Sequence, residues 1–393
     1  MNICFFSDVH ISKLRGGVER VTYILSEALQ KNGHNITMLS VLPPVGQDFL
    51  EKNQFVLPDN HIYSYHNIKF ASELFKKNNI DIIINQSETL STYKLIKESR
   101  ENRILITCIH NDPATIIKEV NDKWDLWKIN NGITKYILLF PYISIRKRIQ
   151  RHYRSEYVRD KYSKFYQESD AIILLSDKYI NVFKKITELK EVEKIHIIHN
   201  PTLFHQSNIQ NSEKENIVLF VGRLVYQKRI DRLLKIWSKI KIKDRENWKL
   251  VIVGDGKDIE LFKEINRKTG NYDVEFVGFH EPTTFYQKSK ILCIVSSYEG
   301  SPCVIQEALY HNVIPIAFDS FEASSDYIIN SKTGFLINAF KINKYAKVLK
   351  KLMVENTIIQ EIQENIKKEN YLDQFSIDNI IKQWEQLFRK LIQ

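Results

Sequence analysis

The chain has 393 residues, 26% charged and 43% hydrophobic, a balance that excludes disordered and collagen-like chains. Its 57 Lys and Arg against 47 Asp and Glu leave a formal net charge of +10, which alone could serve nucleic acid, an anionic membrane surface or a phosphorylated substrate. At roughly 100–200 residues per domain, two domains are expected.

The start, MNICFFSDVH, has no basic stretch of a secretion signal, and the longest apolar run, 136–145, is interrupted by Pro141. That run is well short of the ~20 residues that span a bilayer. The sequence therefore predicts a cytoplasmic protein. Cys4, Cys108, Cys293 and Cys303 show no paired spacing, so neither disulfides nor a zinc site is expected. The first three sit in apolar runs and read as buried thiols.

In chain order, residues 2–7, 35–42, 81–85, 103–109, 171–176 and 194–199 read as buried strands. Between the first two, Val18, Val21, Leu25, Ala28 and Leu29 recur at helical spacing over 18–30, and Gly33 follows as a stop. Strand, glycine loop, helix and strand make a βαβ unit, the building block of a doubly wound parallel sheet. Asn200-Pro201 breaks the pattern, and the polar, aperiodic stretch 205–215 reads as a linker.

The alternation then restarts with strand 217–221, helix 230–240, strand 249–253, helix 258–268 and strands 274–277 and 291–295. Helix 304–310 and strands 313–317 and 335–337 follow, with helices to the end. The fold class is α/β, with Rossmann-like domains over 1–200 and 201–374 and a final segment 375–393. In that segment Ile380, Ile381, Trp384, Leu387 and Phe388 form one apolar stripe at helical spacing.

Three loops carry chemistry. Gly16-Gly17 lies between the first strand and its helix, where small residues allow close approach and free helix N–H groups suit an anion. It is not a GxGxxG loop, and no Walker A sequence occurs, so neither a dinucleotide enzyme nor a P-loop NTPase is favoured. The second loop, VGRLVYQK from Val221, puts Arg223 and Lys228 at the carboxyl end of a parallel strand, where open α/β sheets bind ligands. An arginine fork and a lysine point charge suit phosphate.

The third loop, SSYEGSPCVIQEA over 296–308, carries Glu299 in a loop and Glu307 in the following helix. Pro302 stands where a first helical residue is expected. Two carboxylates flanking a helix N-terminus offer acceptors for hydroxyl groups, and the helix N–H groups between them offer donors for phosphate in the same segment.

Glu299 and Glu307 reproduce the Glu-x7-Glu signature of the family 4 retaining glycosyltransferases, and the chain resembles that family along almost its whole length. The resemblance is carried by Gly16-Gly17, the VGRL…K segment, LVIVGDG at 250–256, VEFVGF at 274–279, SSYEGSPCVIQEAL, the segment from Pro315 and TGFL at 333–336. It implies a GT-B fold, two Rossmann-like domains facing a cleft, with a C-terminal helix crossing back to the first domain. In the resemblance, Arg223 and Lys228 neutralise the diphosphate of a nucleotide-sugar donor, so no metal or cofactor is expected. Glu299 accepts hydrogen bonds from donor-sugar hydroxyls, and Glu307 from the ribose. Backbone around Gly300, Ser301, Pro302, Cys303 and Val304 approaches sugar or phosphate, and Gly278 and Phe279 border the base. The Gly16-Gly17 loop closes over the diphosphate, and His110 matches the family's active-site histidine. The implied activity moves a hexose-type sugar, UDP-linked by family frequency, to a glycan or lipid-linked glycan in bacterial surface-polysaccharide synthesis. A nucleotide-sugar epimerase of the same fold and a catalytically idle membrane-binding protein are the alternatives.

Between residues 143 and 164, eight cations (including Arg146, Lys147, Arg148, Arg151 and Arg154) stand against Glu156 and Asp160. Ile145, Ile149, Tyr153 and Tyr157 recur every four residues, so a helix here has an apolar flank beside a basic face. That pattern suits an anionic membrane surface and predicts peripheral attachment at the inner face of the membrane, near the acceptor. No nucleic-acid module accompanies the charge, so nucleic acid is not an expected partner.

Overall fold

The computed structural model describes residues 1–13, 17–45, 49–202, 213–368 and 370–393. Gly16 and most of the expected linker lie outside the described residues. Contacts divide the chain into two units: Met1–Ala114, Tyr153–Leu203 and Asp373–Gln393 form one, and Thr115–His152 and Phe204–Leu372 the other. The stretch 115–152 thus groups with the second sheet, although it falls inside the span 1–200 given above to the first domain.

The chain opens with β1 (Asn2–Ser7), α1 (Val18–Lys31), β2 (Asn35–Ser40), β3 (Gln54–Val56) and α2 (Tyr65–Lys77). Next come β4 (Ile82–Asn85), α3 (Leu90–Ser99), β5 (Ile104–Ile109), α4 (Thr115–Asn131), α5 (Ile133–Leu138) and α6 (Phe140–Glu168). β6 (Ala171–Leu174), α7 (Lys178–Thr187) and β7 (Ile195–Ile197) complete this half. β3 has no counterpart in the sequence reading; at three residues, with polar Gln54 buried at its start, it shows no apolar run.

The seven strands run parallel in the order β3-β2-β1-β4-β5-β6-β7. Successive residues of β1 feed opposite faces, as a strand's period of two requires. Ile3 and Phe5 pack with Leu25 and Leu29 of α1, while Cys4 and Phe6 pack with Leu74 and Phe75 of α2. Burial on both faces explains why these strands are continuous apolar runs.

The second half contains β8 (Ile217–Val221), α8 (Ile230–Ser238), α9 (Ile242–Arg245), β9 (Lys249–Val253), α10 (Ile259–Thr269) and β10 (Val274–Gly278). It continues with α11 (Thr283–Lys288), β11 (Ile291–Ile294), α12 (Cys303–Tyr310), β12 (Ile314–Asp319), α13 (Ser324–Tyr327) and β13 (Phe335–Asn338). α14 (Ile342–Val354), α15 (Asn356–Lys368) and α16 (Ile377–Ile392) end the chain. The sheet order is β10-β9-β8-β11-β12-β13, again all parallel.

The last helix belongs to the first unit. Ser376 caps it by accepting from the Asn379 N–H, and Ile380, Trp384 and Phe388 join the cluster of Ile3, Phe5 and Ile82. The apolar stripe read from the sequence is therefore a core face. Each sheet reverses its strand order once, between β1 and β4 and between β8 and β11. At such a reversal, adjacent loops diverge at the carboxyl ends of the strands and leave a crevice for ligand.

Candidate active site

In the second unit the loops after β8 and β11 flank the strand-order reversal, and both carry residues singled out above. The 222–224 backbone is laid against the loop after β9: Gly222 N–H donates to the Val253 carbonyl at 3.0 Å, and Leu224 N–H to that of Asp255 at 2.8 Å. A Cβ on Gly254 would fall 2.0 Å from the Gly222 carbonyl oxygen, so only glycine permits this approach.

Tyr226, Gln227 and Lys228 form one tight turn. Its backbone is tied to the other loop, because Ser297 N–H donates to the Gln227 carbonyl at 2.9 Å and Gln227 Nε2 to that of Tyr298 at 3.0 Å. These bonds bring Lys228 and Glu299, 71 residues apart, to an Nζ···Oε1 distance of 2.6 Å. The Glu299 carboxylate is buried and the Lys228 ammonium nearly so, while Arg223 is exposed.

Glu307 has a different environment. Buried within α12, it accepts from Tyr286 Oη at 2.8 Å, and the Tyr286 ring stacks parallel on His311. The two carboxylates of the signature thus face an ammonium and a phenol respectively. α12 begins at Cys303, with Pro302 as the extended residue just before it, one position earlier than a first helical residue. Ser301 hydrogen-bonds the Tyr327 hydroxyl. Gly278 has a positive φ of 79° and accepts from Gly254 N–H at 2.8 Å, while the Phe279 ring beyond it is exposed. Cys4, Cys108 and Cys293 are buried, as their apolar surroundings required.

Sequence reasoning missed Arg229. It stands directly after Lys228 in the left-handed conformation, φ 53°, which costs an L-residue roughly 1–2 kcal/mol. A buried network offsets that cost. Nε and Nη2 donate to the two oxygens of Asp231 at 2.9 and 3.0 Å, and Nη1 reaches Asp122 and Asp125, both at 3.2 Å. Asp122 also accepts from Ser297 Oγ at 2.7 Å. Burial pushes the Asp122 carboxyl up, against the lowering effect of Ser297 and Arg229. Through Asp122, α4 is fastened to both loops of the site, which explains why this helix groups with the second sheet.

In the first unit, Gly17 precedes α1 at a φ of 76°, which favours glycine. His110 follows β5, and its Nε2 hydrogen-bonds Gln86 Oε1 in the loop after β4. Its Nδ1 is buried with no hydrogen-bond partner among the described residues. Burial lowers the His110 pKa to about 4, against the raising effect of Glu88. His311 is likewise lowered to about 4, by burial and then by Lys214.

A depressed histidine favours the neutral ring in the folded state. The unfolded chain takes up protons as pH falls through 6.5 while these two rings do not, so their contribution to stability is full above 6.5 and is lost toward pH 4. Thermal unfolding across that window should show the decline, and His110→Gln with His311→Gln should flatten it. An unchanged slope in the double variant would mean that other groups dominate acid unfolding.

The basic stretch is helical over a longer span than expected, 29 residues of α6. Ile145 is 61% and Tyr153 70% exposed, and Ile149 and Tyr157 are exposed too. Arg146, Arg148 and Arg151 are exposed, with Lys147 and Arg154 half-buried. Lys161, one of the eight cations between 143 and 164, does not lie on a charged face as the run of cations implied: it is buried, 1% exposed, and paired with Glu88 at 3.4 Å. No helix among the described residues is long and apolar enough to cross a membrane.

Two all-parallel sheets with interleaved helices, each reversing strand order where its functional loops emerge, define a protein of GT-B fold. Residues 15–202 match the model of Glycosyltransferase Family 4, and residues 203–372 that of Glycosyl transferases group 1. Together these matches place the chain in the family 4 type of glycosyltransferase, as the motifs implied.

Among curated relatives, a Campylobacter jejuni α-1,4-N-acetyl-D-galactosaminyltransferase named for an undecaprenol-diphosphate-linked GalNAc acceptor is 29% identical over 251 residues, 62% of this chain and 68% of its own. The amylovoran biosynthesis glycosyltransferase AmsD of Erwinia amylovora is 28% identical over 56% of this chain, which spans 63% of that relative. Among solved structures, Anabaena HepE in complex with UDP-glucose superposes with a TM-score of 0.74 at 13% identity, over 99% of this chain and all of the other.

Proposed function

We propose that this glycosyltransferase transfers a hexose-type sugar, with retention of anomeric configuration, from a nucleotide sugar to a glycan or lipid-linked glycan in bacterial surface-polysaccharide synthesis. UDP is the preferred nucleotide. The observation that carries the reading is the Lys228–Glu299 pair at the strand-order reversal, with Arg223 on the same loop. Transfer breaks the bond between the anomeric carbon and a phosphate oxygen, leaving positive charge on the sugar and negative charge on the departing diphosphate. Arg223 and Lys228 stabilise that negative charge where it develops and so supply the role a metal ion would otherwise take. Glu299, released from Lys228 when the diphosphate arrives, accepts hydroxyl groups of the donor sugar. Glu307 accepts the ribose hydroxyls, backbone over 300–304 approaches sugar or phosphate, and Gly278 and Phe279 border the base. His110, held neutral, faces the donor sugar without adding a charge. The kinship with an enzyme named for an undecaprenol-linked acceptor and with one of amylovoran synthesis supports a surface-glycan acceptor.

Thermal-shift screening with UDP, GDP and ADP and their sugars tests the donor site. A ligand that binds only the folded chain stabilises it by about 2.7 kcal/mol at a hundredfold excess over Kd. A UDP-sugar should give the largest rise in Tm, and no shift with any nucleotide would sink the reading. We further place the enzyme at an anionic membrane surface through α5 and the first half of α6, a peripheral attachment that brings it to a lipid-linked acceptor.

A further inference from the structure

We propose that Glu88 is a positioning residue that ties the His110 loop to α6, one carboxylate oxygen on each; the inference rests on the reading of His110 as part of the reacting site. The parallel sheet brings the two loops together. β4 and β5 pair with Asn85 opposite Thr107, so the chain leaving β4 at 86–89 emerges beside the chain leaving β5 at 110–112. Oε1 of Glu88 accepts from the backbone N–H of His110 at 3.1 Å and of Asn111 at 3.2 Å, and from Asn111 Nδ2 at 3.2 Å. Oε2 accepts from Tyr162 Oη at 3.0 Å and from Lys161 Nζ at 3.4 Å, both on α6.

A carboxylate that only balanced the buried Lys161 would need one oxygen. Here the other is committed to two consecutive amides, one of them belonging to His110. An ionised carboxylate is acceptor-only on both oxygens, whereas an amide of the same shape has one acceptor and one donor group. Glu88→Gln therefore keeps the volume but must aim an N–H either at the His110 and Asn111 amides or at the Lys161 ammonium. Hydrogen bonds to an ionised acceptor are also about twice as strong as neutral ones. Gln86 fixes the imidazole by its Nε2 while Glu88 fixes the backbone that carries it, so ring and main chain are set by two residues of one loop.

The test is a double-mutant cycle of Glu88→Gln and His110→Ala in the full chain, read as UDP release from the UDP-sugar that most stabilises it. Misplacement by about 1 Å can cost on the order of 10²-fold, so Glu88→Gln should lower kcat by about 10- to 100-fold with donor KM little changed. Because Glu88 acts through His110, the same change in the His110→Ala background should cost almost nothing more. Backbone amide exchange at His110 and Asn111 should accelerate in Glu88→Gln. Wild-type kcat in Glu88→Gln, or losses that multiply in the double variant, would overturn the inference while leaving His110 in the site. A fully active His110→Ala would instead overturn the reading of His110, and the inference with it. Should Glu88→Gln fail to fold, Tyr162→Phe removes one Oε2 donor and keeps its ring in place. A loss of kcat there supports the hub, and an unchanged kcat overturns it.

Discussion

Replacing Lys228 by alanine is expected to lower sugar transfer by about 10²- to 10³-fold, the usual cost of removing one preorganised charge-stabilising group. The variant should also lose stability. The Glu299 carboxylate sits 2.6 Å from the missing ammonium and is buried, and breaking a buried pair on one side costs about 3 kcal/mol or more. Lost activity in Lys228→Ala alone would therefore confuse catalysis with folding. The double variant Lys228→Met with Glu299→Gln separates them. It replaces both charges by neutral groups of similar volume, so Tm should return close to wild type, while transfer stays lost because neither diphosphate nor sugar hydroxyls find their partner. Transfer near the wild-type rate in the double variant would remove both residues from the site. Loss of transfer with a recovered Tm would leave chemistry as the explanation.

How far the site could be read from residues alone follows from the distances its interactions span. The strands were legible because parallel sheets bury both faces, so runs such as 3–6 and 291–295 are apolar throughout. Arg223, Lys228 and Glu299 were legible because each follows such a strand within a few residues, where ligands bind in this architecture. That Lys228 and Glu299 touch was not, since it depends on β8 and β11 being neighbours in a sheet whose order departs from chain order. Glu88 and Asp122 carried no local signal. Glu88 meets partners 22 and 74 residues away, and Asp122 meets one 107 residues away. Lys161 was misread for the same reason: its helix shows a run of cations, and only the loop after β4 reveals the carboxylate that draws this one inward. The Arg229 network adds a further lesson. A bulky residue at positive φ beside the key lysine is invisible in composition, yet it fastens α4 to the loops that carry Lys228 and Glu299.

Neutralising Arg146, Lys147, Arg148 and Arg151 together is expected to release the chain from anionic vesicles. Each basic side chain near such a surface contributes about 1 kcal/mol, so four of them amount to roughly 4 kcal/mol, or nearly 10³-fold in partition. The geometry favours a real surface over a merely solvated helix. At 100° per residue, Tyr142, Ile145, Ile149 and Tyr153 fall within about 80° of arc. Ile143 lies outside that arc and is buried, and Arg151, also outside it, donates to Asn121 of α4. The packed side of the helix is therefore not the apolar strip, which is left to solvent. Ile137 and Leu138 of α5 and Phe140 continue the exposed apolar surface, and Arg146 lies over the Tyr142 ring at 5.2 Å, a cation beside an aromatic as at a lipid headgroup boundary. Sedimentation with vesicles containing phosphatidylserine, compared with neutral vesicles, reads the effect. Wild type should bind the anionic vesicles and lose binding as salt rises, since the Debye length falls from about 10 Å at 0.1 M to 3 Å at 1 M. Equal partition of wild type and the neutralised variant would remove the membrane from this reading. Reduced binding after Ile145→Ser and Ile149→Ser, with the cations intact, would show that the apolar strip enters the bilayer instead of hovering above it.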